Sequence, residues 1–412
     1  MENNITINNK IPQFRFPGFT GEWQEKKLNE VFSRVTQKNA ENNQNVLTIS
    51  AQYGLISQLE FFKKSVASSD VTGYYLLHKG EFAYNKSSSQ GRPVGAIKPL
   101  RLYDKGVVST LYICFKCNNP EEIDFWEQYF DAGILDSEIL SIAQEGARNH
   151  GLLNISTGDF FGLNVILPTP PEMKKIAECL SSFDDVITAA ENELDSLKAH
   201  KKGLMQQIFP QPGTTTPALR FPGFTGDWEV KKLGEIADVN PKSDKLPNKF
   251  VYIDLESVES GNLLKKNIIE VKNAPSRAQR LLKKGDILFQ MVRPYQRNNY
   301  HFYDNDVNVY VASTGYAQIR YKDCSEYLYQ YLHTDTFVDM AVSKCVGGNY
   351  PAINTTDLTN ITVYLPSPAE QQMIAECLGT LDNLIAAESK KLGFLKSHKK
   401  GLMQQLFPQP EK

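Results

Sequence analysis

Two basic segments of this 412-residue chain contain the residue types that contact nucleic acids. They are "YNKSSSQGRPVGAIKPLRLY" (84–103) and "QMVRPYQRNNYHFY" (290–303). Lysine and arginine bind phosphates, and arginine, asparagine and glutamine can form hydrogen bonds to base edges. The candidate DNA-contacting residues are Lys86, Ser88, Gln90, Arg92, Lys98, Arg101 and Tyr103 in the first segment, Arg293, Tyr295, Gln296, Arg297, Asn298 and Asn299 in the second, and Arg277 and Arg280 just before it. The alternative is that these exposed basic loops serve only solubility.

Two further segments read as turns that present polar groups. "EGARNHG" (145–151) contributes Arg148, Asn149 and His150, and "VGGNYPA" (346–352) contributes Asn349 and Tyr350. Both precede matched segments, "ISTG" and "INTT", so they occupy corresponding places in the chain. We expect direct DNA contacts at both turns as well.

Motifs for catalysis or metal binding are missing from the sequence. There is no phosphate-binding loop, no G-x-G-x-x-G after a strand, no G-x-S-x-G and no H-E-x-x-H. Cys114 and Cys117 form one C-x-x-C pair without a second pair or a nearby histidine, whereas a structural zinc needs four ligands. Packing explains this pair better, as it does Cys179 and Cys377 in the two "AECL" segments. We expect no catalytic residue, no metal and no cofactor in this chain.

Composition sets broad limits on the class of protein. Hydrophobic residues make up 41% and charged residues 22%, which is ordinary for a globular protein, and six cysteines are too few for a disulfide framework. The polar start "MENNITINNK" has no apolar signal region, and no window is apolar enough to span a membrane. A cytoplasmic location is the simplest expectation. The net charge of −2 does not by itself indicate a nucleic-acid partner.

The chain contains one large internal repeat. "RFPGFTGEWQEKKLNEV" (15–31) recurs as "RFPGFTGDWEVKKLGEI" (220–236), and "HKKGLMQQIFPQP" (200–212) recurs as "HKKGLMQQLFPQP" (398–410). The matched segments between them show that length changes are confined to loops. Two copies of one unit therefore account for nearly the whole chain, and such repeats decide the fold.

Each copy begins with a region that combines strands and short helices. "VLTIS", "EFAYN" and "VVSTLYICF" in the first copy, and "FVYIDL", "DILFQMV" and "VYVASTGYAQI" in the second, have the composition of strands. "DFWEQYFDA" and "SEYLYQYLHT" have the pattern of helices that pack on them. The pattern predicts an α/β domain in each copy.

Each copy ends with a long helix that starts after "LPTP" or "LPSP". Apolar residues recur at alternating steps of three and four, which is the heptad pattern of helices that pack along their length. The alternative is an ordinary helix buried in a globular core. The residues expected to pack the helices together or to dock a partner are Leu180, Ile187, Leu194, His200, Lys201, Gly203 and Gln206 in the first helix, and Leu378, Ile385, Leu392, His398, Lys399, Gly401 and Gln404 in the second.

The repeated helix ends have two features that need an explanation. Lys201 and Lys399 interrupt the apolar seam, and Gly203 and Gly401 lie inside a helix at a cost of about 1 kcal/mol relative to alanine. We expect another backbone to come close at these glycines: the neighbouring domain, the other helix or a partner. Two identical ends on antiparallel helices would present the same surface twice. The order of the copies also predicts that "FPQPEK" lies near "IPQFRFPGF".

The chain resembles a specificity subunit of a type I restriction–modification system. The resemblance rests on the paired "RFPGF-TG-[ED]W...KKL", "LP-P-E...IAECL" and "HKKGLMQQ-FPQ" segments, each present twice and in the family's order. It implies two α/β target-recognition domains, at 13–170 and 218–368, separated by two long antiparallel coiled-coil helices, at 171–209 and 369–407, with pseudo-twofold symmetry. A tail (1–12), a linker (210–217) and a second tail (408–412) complete the chain.

The resemblance also implies a function and partners. Each domain would read one half of a bipartite site in double-stranded DNA, and the helices would set the spacer. Two modification methyltransferase subunits would bind S-adenosylmethionine, and motor–nuclease subunits would use ATP and Mg²⁺, so these cofactors belong to partners. Two other hypotheses remain open at this point: a protein-binding adaptor with no role at DNA, and a self-sufficient nuclease with an unrecognised carboxylate site.

Overall fold

The computed structural model describes residues 10–50, 53–62, 70–87, 93–143, 151, 153–303 and 306–408. It divides into two compact units, unit 1 (Met1–Glu191 with Lys391–Lys412) and unit 2 (Asn192–Lys390). This division differs from the domain boundaries predicted from sequence because each half of a long helix is grouped with the globular part on which it packs.

Unit 1 is built from short strands and helices. Its strands are β1 (Gln24–Lys27), β2 (Phe32–Arg34), β3 (Leu47–Ser50), β4 (Gly54–Ser57), β5 (Tyr75–His78), β6 (Phe82–Asn85), β7 (Ala96–Pro99), β8 (Lys105–Val108), β9 (Ile113–Cys117) and β10 (Asn164–Leu167). Its helices are α1 (Leu28–Val31), α2 (Gln58–Phe62), α3 (Ile123–Asp131), α4 (Asp136–Ile142), α5 (Thr157–Phe161) and the first part of α6 (Pro170–Ile208). The main sheet has the order β2-β9-β6-β7 and is antiparallel; β1-β10, β3-β4 and β5-β8 form antiparallel pairs.

Unit 2 repeats this plan with different loops. Its strands are β11 (Glu229–Lys232), β12 (Ala237–Val239), β13 (Lys249–Ile253), β14 (Val258–Glu259), β15 (Asn262–Leu263), β16 (Asn267–Glu270), β17 (Ala278–Leu281), β18 (Ile287–Gln290), β19 (Tyr300–His301), β20 (Tyr310–Ser313), β21 (Tyr316–Tyr321) and β22 (Thr362–Leu365). Its helices are α7 (Leu233–Ile236), α8 (Ser325–Tyr331), α9 (Asp335–Ser343), α10 (Thr355–Thr359) and the first part of α11 (Pro368–Leu406). Two sheets have the orders β12-β21-β18-β19 and β16-β13-β20-β17, in which only β13 and β20 pair in parallel, and β11-β22 and β14-β15 form pairs.

The predicted strands are present, with one difference in each copy. "VVSTLYICF" forms two strands, β8 and β9, in different sheets, and "VYVASTGYAQI" likewise forms β20 and β21. A turn closed by the Tyr112 N–H and the Ser109 carbonyl separates the first pair of strands, with a donor–acceptor distance of 3.1 Å. In unit 2 the Gly315 N–H donates to Ser313 Oγ at 3.2 Å. A serine therefore lies at the end of the first strand of the pair in both units, joined in unit 2 by Gly315, although the apolar run continues on both sides.

The main core of unit 1 is aromatic. Phe32, Phe82 and Phe115 from the main sheet meet Trp126 and Phe130 of α3, with ring centroids 4.7 to 6.0 Å apart. All five side chains are buried. Because buried apolar residues recur at positions 125, 126, 129 and 130 of α3, one face of this helix fits onto the sheet.

An ion pair anchors the start of each long helix. In unit 1, Arg15 Nε and Nη2 each donate to a carboxylate oxygen of Glu172 at 2.7 Å. In unit 2, Arg220 binds Glu370 in the same two-pronged way at 2.8 Å. Both carboxylates are buried. The repeated "RFPGF" and "P-E" segments are therefore the two sides of one contact, made once in each unit.

The repeated helix ends are packed inside the units. The end of α11 supplies Phe407 to the core of unit 1, where its ring lies 6.4 Å from Trp23. The end of α6 supplies Phe209 to the core of unit 2, again 6.4 Å from a tryptophan, Trp228. The Phe14 N–H donates to the Gln405 carbonyl at 2.9 Å. The expected proximity of the N-terminal and C-terminal segments is thus confirmed within the described residues.

The explanation offered for the two helix glycines is wrong as far as this chain is concerned. Among the described residues, no neighbouring atom lies within 4 Å of a Cβ added to Gly203 or Gly401, so neither the neighbouring domain nor the other helix comes close there. Along the seam, Leu180, Ile187, Leu194 and Leu378 are buried, and Ile385 and Leu392 are half-buried.

Within the described part of the chain, no helix is both long enough and apolar enough to cross a membrane.

Candidate nucleic-acid interface

In unit 2 the loop of residues 293–299 has an unusual backbone. Arg293 and Arg297 have φ angles of 54° and 55°, in the left-handed region that residues other than glycine rarely adopt. Between them, Pro294–Gln296 forms one turn of 3₁₀ helix. Such conformations cost about 1 kcal/mol or more each and persist only where the surroundings impose them. The loop is therefore held in a single shape by its contacts.

Buried polar groups of Gln290, the last residue of β18, supply much of this restraint. Its backbone N–H donates to Asn299 Oδ1 at 2.8 Å, its Oε1 accepts from the Asn298 N–H at 3.1 Å, and its Nε2 donates to Gln296 Oε1 at 2.9 Å. Sequence reasoning missed Gln290. The available signal was a glutamine at the end of the otherwise apolar strand "ILFQ". Asn299 is itself buried, so it shapes the loop and does not face a ligand.

The structure brings the two predicted surfaces of unit 2 together at Arg293. Arg293 Nε and Nη2 donate to the Asn349 carbonyl at 3.3 and 2.9 Å, and the guanidinium lies 4.3 Å from the centre of the Tyr350 ring. The Arg293 N–H also donates to the Pro351 carbonyl at 2.7 Å. Tyr350 is 70% exposed and Tyr295, on the same loop, is 52% exposed. A positioned guanidinium with exposed aromatic and amide neighbours can bind phosphate or a base edge.

Arg297 has a different role. Its Nη2 donates to Asp335 Oδ1 at 2.6 Å and its Nη1 donates to the His333 carbonyl at 3.1 Å. The pKa of Asp335 is lowered, chiefly by this hydrogen bond from Arg297. Burial lowers the pKa of His333 to about 4, so this imidazole is neutral near pH 7. Arg297 thus secures the far end of the loop, with part of its charge already offset.

Arg277 and Arg280 lie apart from this loop, at β17 in the other four-stranded sheet of unit 2. Arg277 is exposed. Arg280 is half-buried, burial lowers its pKa, and its Nε atom is buried without a hydrogen-bond partner among the described residues. The two arginines are available for phosphates, but they do not belong to the surface around Arg293.

In unit 1 the structure describes only part of the candidate surface. Ser88, Gln90, Arg92, Arg148, Asn149 and His150 lie outside the described residues. Lys86 is half-buried, its Nζ donates to the Ile155 carbonyl at 3.4 Å, and burial lowers its pKa. Its carbonyl accepts from the Leu153 N–H at 3.0 Å. The strand end that corresponds to Gln290 is therefore bonded to Leu153, which follows the second predicted turn in the sequence.

Three other candidates in unit 1 are engaged by its own residues. Lys98 is buried, with its Nζ 2.5 Å from Asp131 Oδ2, and Arg101 Nη2 lies 2.5 Å from Asp124 Oδ1. Tyr103 donates to Glu60 at 2.8 Å. A phosphate would have to replace these carboxylates, and for Lys98 it would also have to reach a buried group. These contacts argue against the prediction that Lys98 touches DNA and weaken it for Arg101 and Tyr103.

The predicted docking residues on the helices fall into two groups. His200, Gln206, His398 and Gln404 are exposed. Lys201 and Lys399 instead form ion pairs inside the units, so they are not free for a partner. Among the described residues, no group of three or more histidine, cysteine, aspartate or glutamate side chains is arranged to hold a metal. Cys114 and Cys117 belong to different apolar clusters of unit 1, as packing alone would place them.

Comparisons with known proteins support one family. A family model described as "Type I restriction modification DNA specificity domain" matches residues 225–396. The MjaVIII specificity subunit of Methanocaldococcus jannaschii is 25% identical over 65% of this chain and 66% of its own length, and the HindI specificity subunit of Haemophilus influenzae is 31% identical over 39% and 36%. These matches span two thirds or less of each relative's length. The comparisons give no support to a protein-binding adaptor without a role at DNA.

A solved structure shares the fold over nearly the whole chain. The type I restriction–modification S subunit of M. genitalium aligns with a TM-score of 0.57 at 15% identity, over 96% of this chain and 99% of that one. A chain from a type I system whose assembly was solved aligns with a TM-score of 0.52 at 18% identity, over 96% and 99%. Together with the match of residues 225–396 to the specificity-domain model and with the sequence relatives, these findings indicate that the chain is similar to specificity subunits of type I restriction–modification systems.

Proposed function

We propose that this chain is a non-catalytic reader of a bipartite DNA site, in which each globular domain reads one half-site. The observation that carries the proposal is the surface around Arg293, where the loop of residues 293–299 meets Asn349 and Tyr350. A strained loop held by buried polar groups can present a guanidinium in a fixed orientation, which bidentate recognition of a guanine requires. The corresponding loops of the two units differ in sequence, which suits two different half-sites.

The proposal also assigns the partners. Two modification methyltransferase subunits would dock on the long helices, bind S-adenosylmethionine and methylate adenines flipped out of the duplex. Restriction subunits would use ATP and Mg²⁺. In support, the structure leaves His200, Gln206, His398 and Gln404 exposed on the helix ends, at equivalent places in the two copies.

The Arg293→Ala variant tests the role in reading DNA. The complex of this chain with its modification subunits is titrated with a duplex carrying its site, identified by mapping methylated adenines in the source genome. Loss of a bidentate base contact should cost about 1–3 kcal/mol, roughly a 5- to 150-fold loss of affinity. The substituted complex should then discriminate less between the cognate duplex and a duplex altered at the base pair that Arg293 contacts.

Lys272→Ala is the matched control. Lys272 is an exposed cation of the same domain, and its Nζ lies 2.9 Å from Glu270 Oε2 on the surface. Its replacement should change affinity less than twofold. If Arg293→Ala binds the cognate duplex as tightly as the wild type, Arg293 does not read DNA. If the wild-type complex shows no base preference at all, the proposed function is wrong.

A further inference from the structure

Lys201 and Lys399, the polar residues in the apolar seam, have specific partners. In unit 1, Lys399 Nζ lies 2.6 Å from Asp184 Oδ1, and in unit 2, Lys201 Nζ lies 2.6 Å from Asp382 Oδ1. The lysine side chains are only 12% and 17% exposed. Each pair joins α6 to α11, and each lysine comes from the repeated "HKKGLMQQ" segment.

A glutamine from the globular part completes each cluster. Gln128 of α3 donates its Nε2 to Asp184 Oδ2 at 2.8 Å, and Gln330 of α8 donates to Asp382 Oδ2 at 2.6 Å. Both glutamines are buried, and the Oε1 of each has no hydrogen-bond partner among the described residues. We call Gln128, Asp184 and Lys399 the unit 1 joint, and Gln330, Asp382 and Lys201 the unit 2 joint. Each joint connects two long helices and one domain helix.

Polar groups at such a place are poorly explained by stability alone. The aspartates stay in contact with water, with side chains 44% and 39% exposed in Asp184 and Asp382. Removing a lysine ammonium from water is costly, and a well-packed apolar residue in its place often stabilises a protein as much or more. Polar residues in a helix seam do, however, select one register, because any slip leaves the largely buried lysine and the buried glutamine without the carboxylate that pairs with them. Aspartate and lysine are 17 residues apart in both helices, since 201 − 184 and 399 − 382 both equal 17. The same restraint is therefore built into both copies.

In unit 2 the joint continues towards the loop of residues 293–299. Gln330 lies on α8, which ends at Tyr331, and the carbonyl of His333 just beyond it accepts from Arg297 at 3.1 Å. Asn299 Nδ2 lies 3.3 Å from His333 Nε2. The segment that is tied to the helices by Gln330 thus also holds the loop that carries Arg293.

We propose that the joints are register locks that position the DNA-reading surface of each domain on the helices. The proposal rests on the proposed function and deepens it. Breaking the unit 2 joint leaves Arg293 and its neighbours intact but allows α8, and the loop bound to it, more than one position. The expected consequence is a loss of base discrimination at one half-site, with general affinity for DNA retained.

The test compares Asp382→Asn with its counterpart Asp184→Asn, in the complex with the modification subunits. Both substitutions keep the size of the side chain and remove its charge. Binding is measured on the cognate duplex, on duplexes with one altered base pair in either half-site, and on a random duplex. We expect Asp382→Asn to reduce discrimination at least tenfold at the half-site read by domain 2, and less than twofold at the other. Asp184→Asn should show the opposite preference, and both should bind random duplex within twofold of the wild type.

The double variant K201D/D382K separates positioning from general damage to the fold. It restores the ion pair with its ends exchanged, and the amide of Gln330 can turn so that its Oε1 accepts from the introduced ammonium. Discrimination should return to within threefold of the wild type. The proposal would be overturned if the double variant discriminated between bases no better than Asp382→Asn does. It would also be overturned if either single variant, Asp382→Asn or Asp184→Asn, lost discrimination equally at both half-sites.

The two proposals fail in different ways. If the wild-type complex discriminates between bases and Asp382→Asn discriminates equally well, the positioning role of the joint is refuted and the reading function stands. If the wild-type complex has no base preference, the reading function fails, and the positioning role fails with it.

Discussion

Replacing Phe407 with alanine should destabilise unit 1, although this residue is almost at the C-terminal end of the chain. Phe407 is fully buried, and its ring lies 5.8 Å from Phe125 and 5.6 Å from Tyr129, in addition to Trp23. Core Phe→Ala substitutions cost about 3–5 kcal/mol. Aromatic pairs add roughly 0.5–1.5 kcal/mol each beyond burial, so a loss in the upper part of that range is expected.

Tryptophan fluorescence during urea unfolding can measure this loss. The chain has three tryptophans, of which Trp23 and Trp126 lie in unit 1 and Trp228 lies in unit 2. A Trp228→Phe background therefore reports on unit 1 alone. Since a domain is typically stable by only about 5–15 kcal/mol, a loss of about 3–5 kcal/mol should move the unfolding midpoint clearly.

Phe209→Ala is the matched control, because Phe209 occupies the equivalent place in the core of unit 2. Measured through the tryptophans of unit 1, it should leave that transition nearly unchanged, whereas Phe407→Ala shifts it. A loss below about 1 kcal/mol for Phe407→Ala is far less than emptying a filled aromatic core site costs, and it would show that the C-terminal end is not part of this core. Equal shifts for both variants would refute the assignment of each helix end to its own unit.

Two further predictions concern charged and titrating groups. Arg15→Ala leaves the Glu172 carboxylate buried without its counter-ion, so unit 1 should lose about 3–5 kcal/mol of unfolding free energy in the same assay. Arg220→Ala should cost unit 2 a similar amount, measured through Trp228 in a chain that keeps this tryptophan and lacks the other two. Burial lowers the pKa of His301 and His333 to about 4, so the unfolded chain binds more protons between about pH 6.5 and 4. The free energy of unfolding therefore has its full value, as far as these two histidines are concerned, above about pH 6.5. As the pH falls towards 4, it decreases by roughly 1–3 kcal/mol per histidine. Acid titration of unfolding should show this loss, and His333→Gln should reduce it; an unchanged slope would contradict the assignment.

Much of the fold could be predicted from the sequence because its signals are local. Alternation and apolar runs predicted the strands, and heptad spacing predicted both long helices, which start at Pro170 and Pro368. Residue types alone singled out the segment from Arg293 to Asn299 as part of the candidate site, but they did not identify Gln290, whose polar groups shape that loop. The site was not predictable where a distant carboxylate decides the role of a cation. Lys98 forms a buried ion pair with Asp131, and no feature of the sequence near Lys98 predicts that contact.

That the chain is a duplicated unit, with a strand-rich part and a long helix in each copy, follows from its amino-acid sequence alone. The order of the copies predicted that the C-terminal helix end lies near the N-terminal segment, but the "HKKGLMQQ" segment, identical in both copies, does not indicate which buried residues each end contacts. The three-dimensional structure was needed to show that Phe407 completes the core of unit 1 and Phe209 that of unit 2. It also decided that the lysines of the seam face Asp184 and Asp382, which lie 215 and 181 positions away along the chain. The physical reason is that over such separations only the three-dimensional packing of buried apolar and charged groups selects the partner.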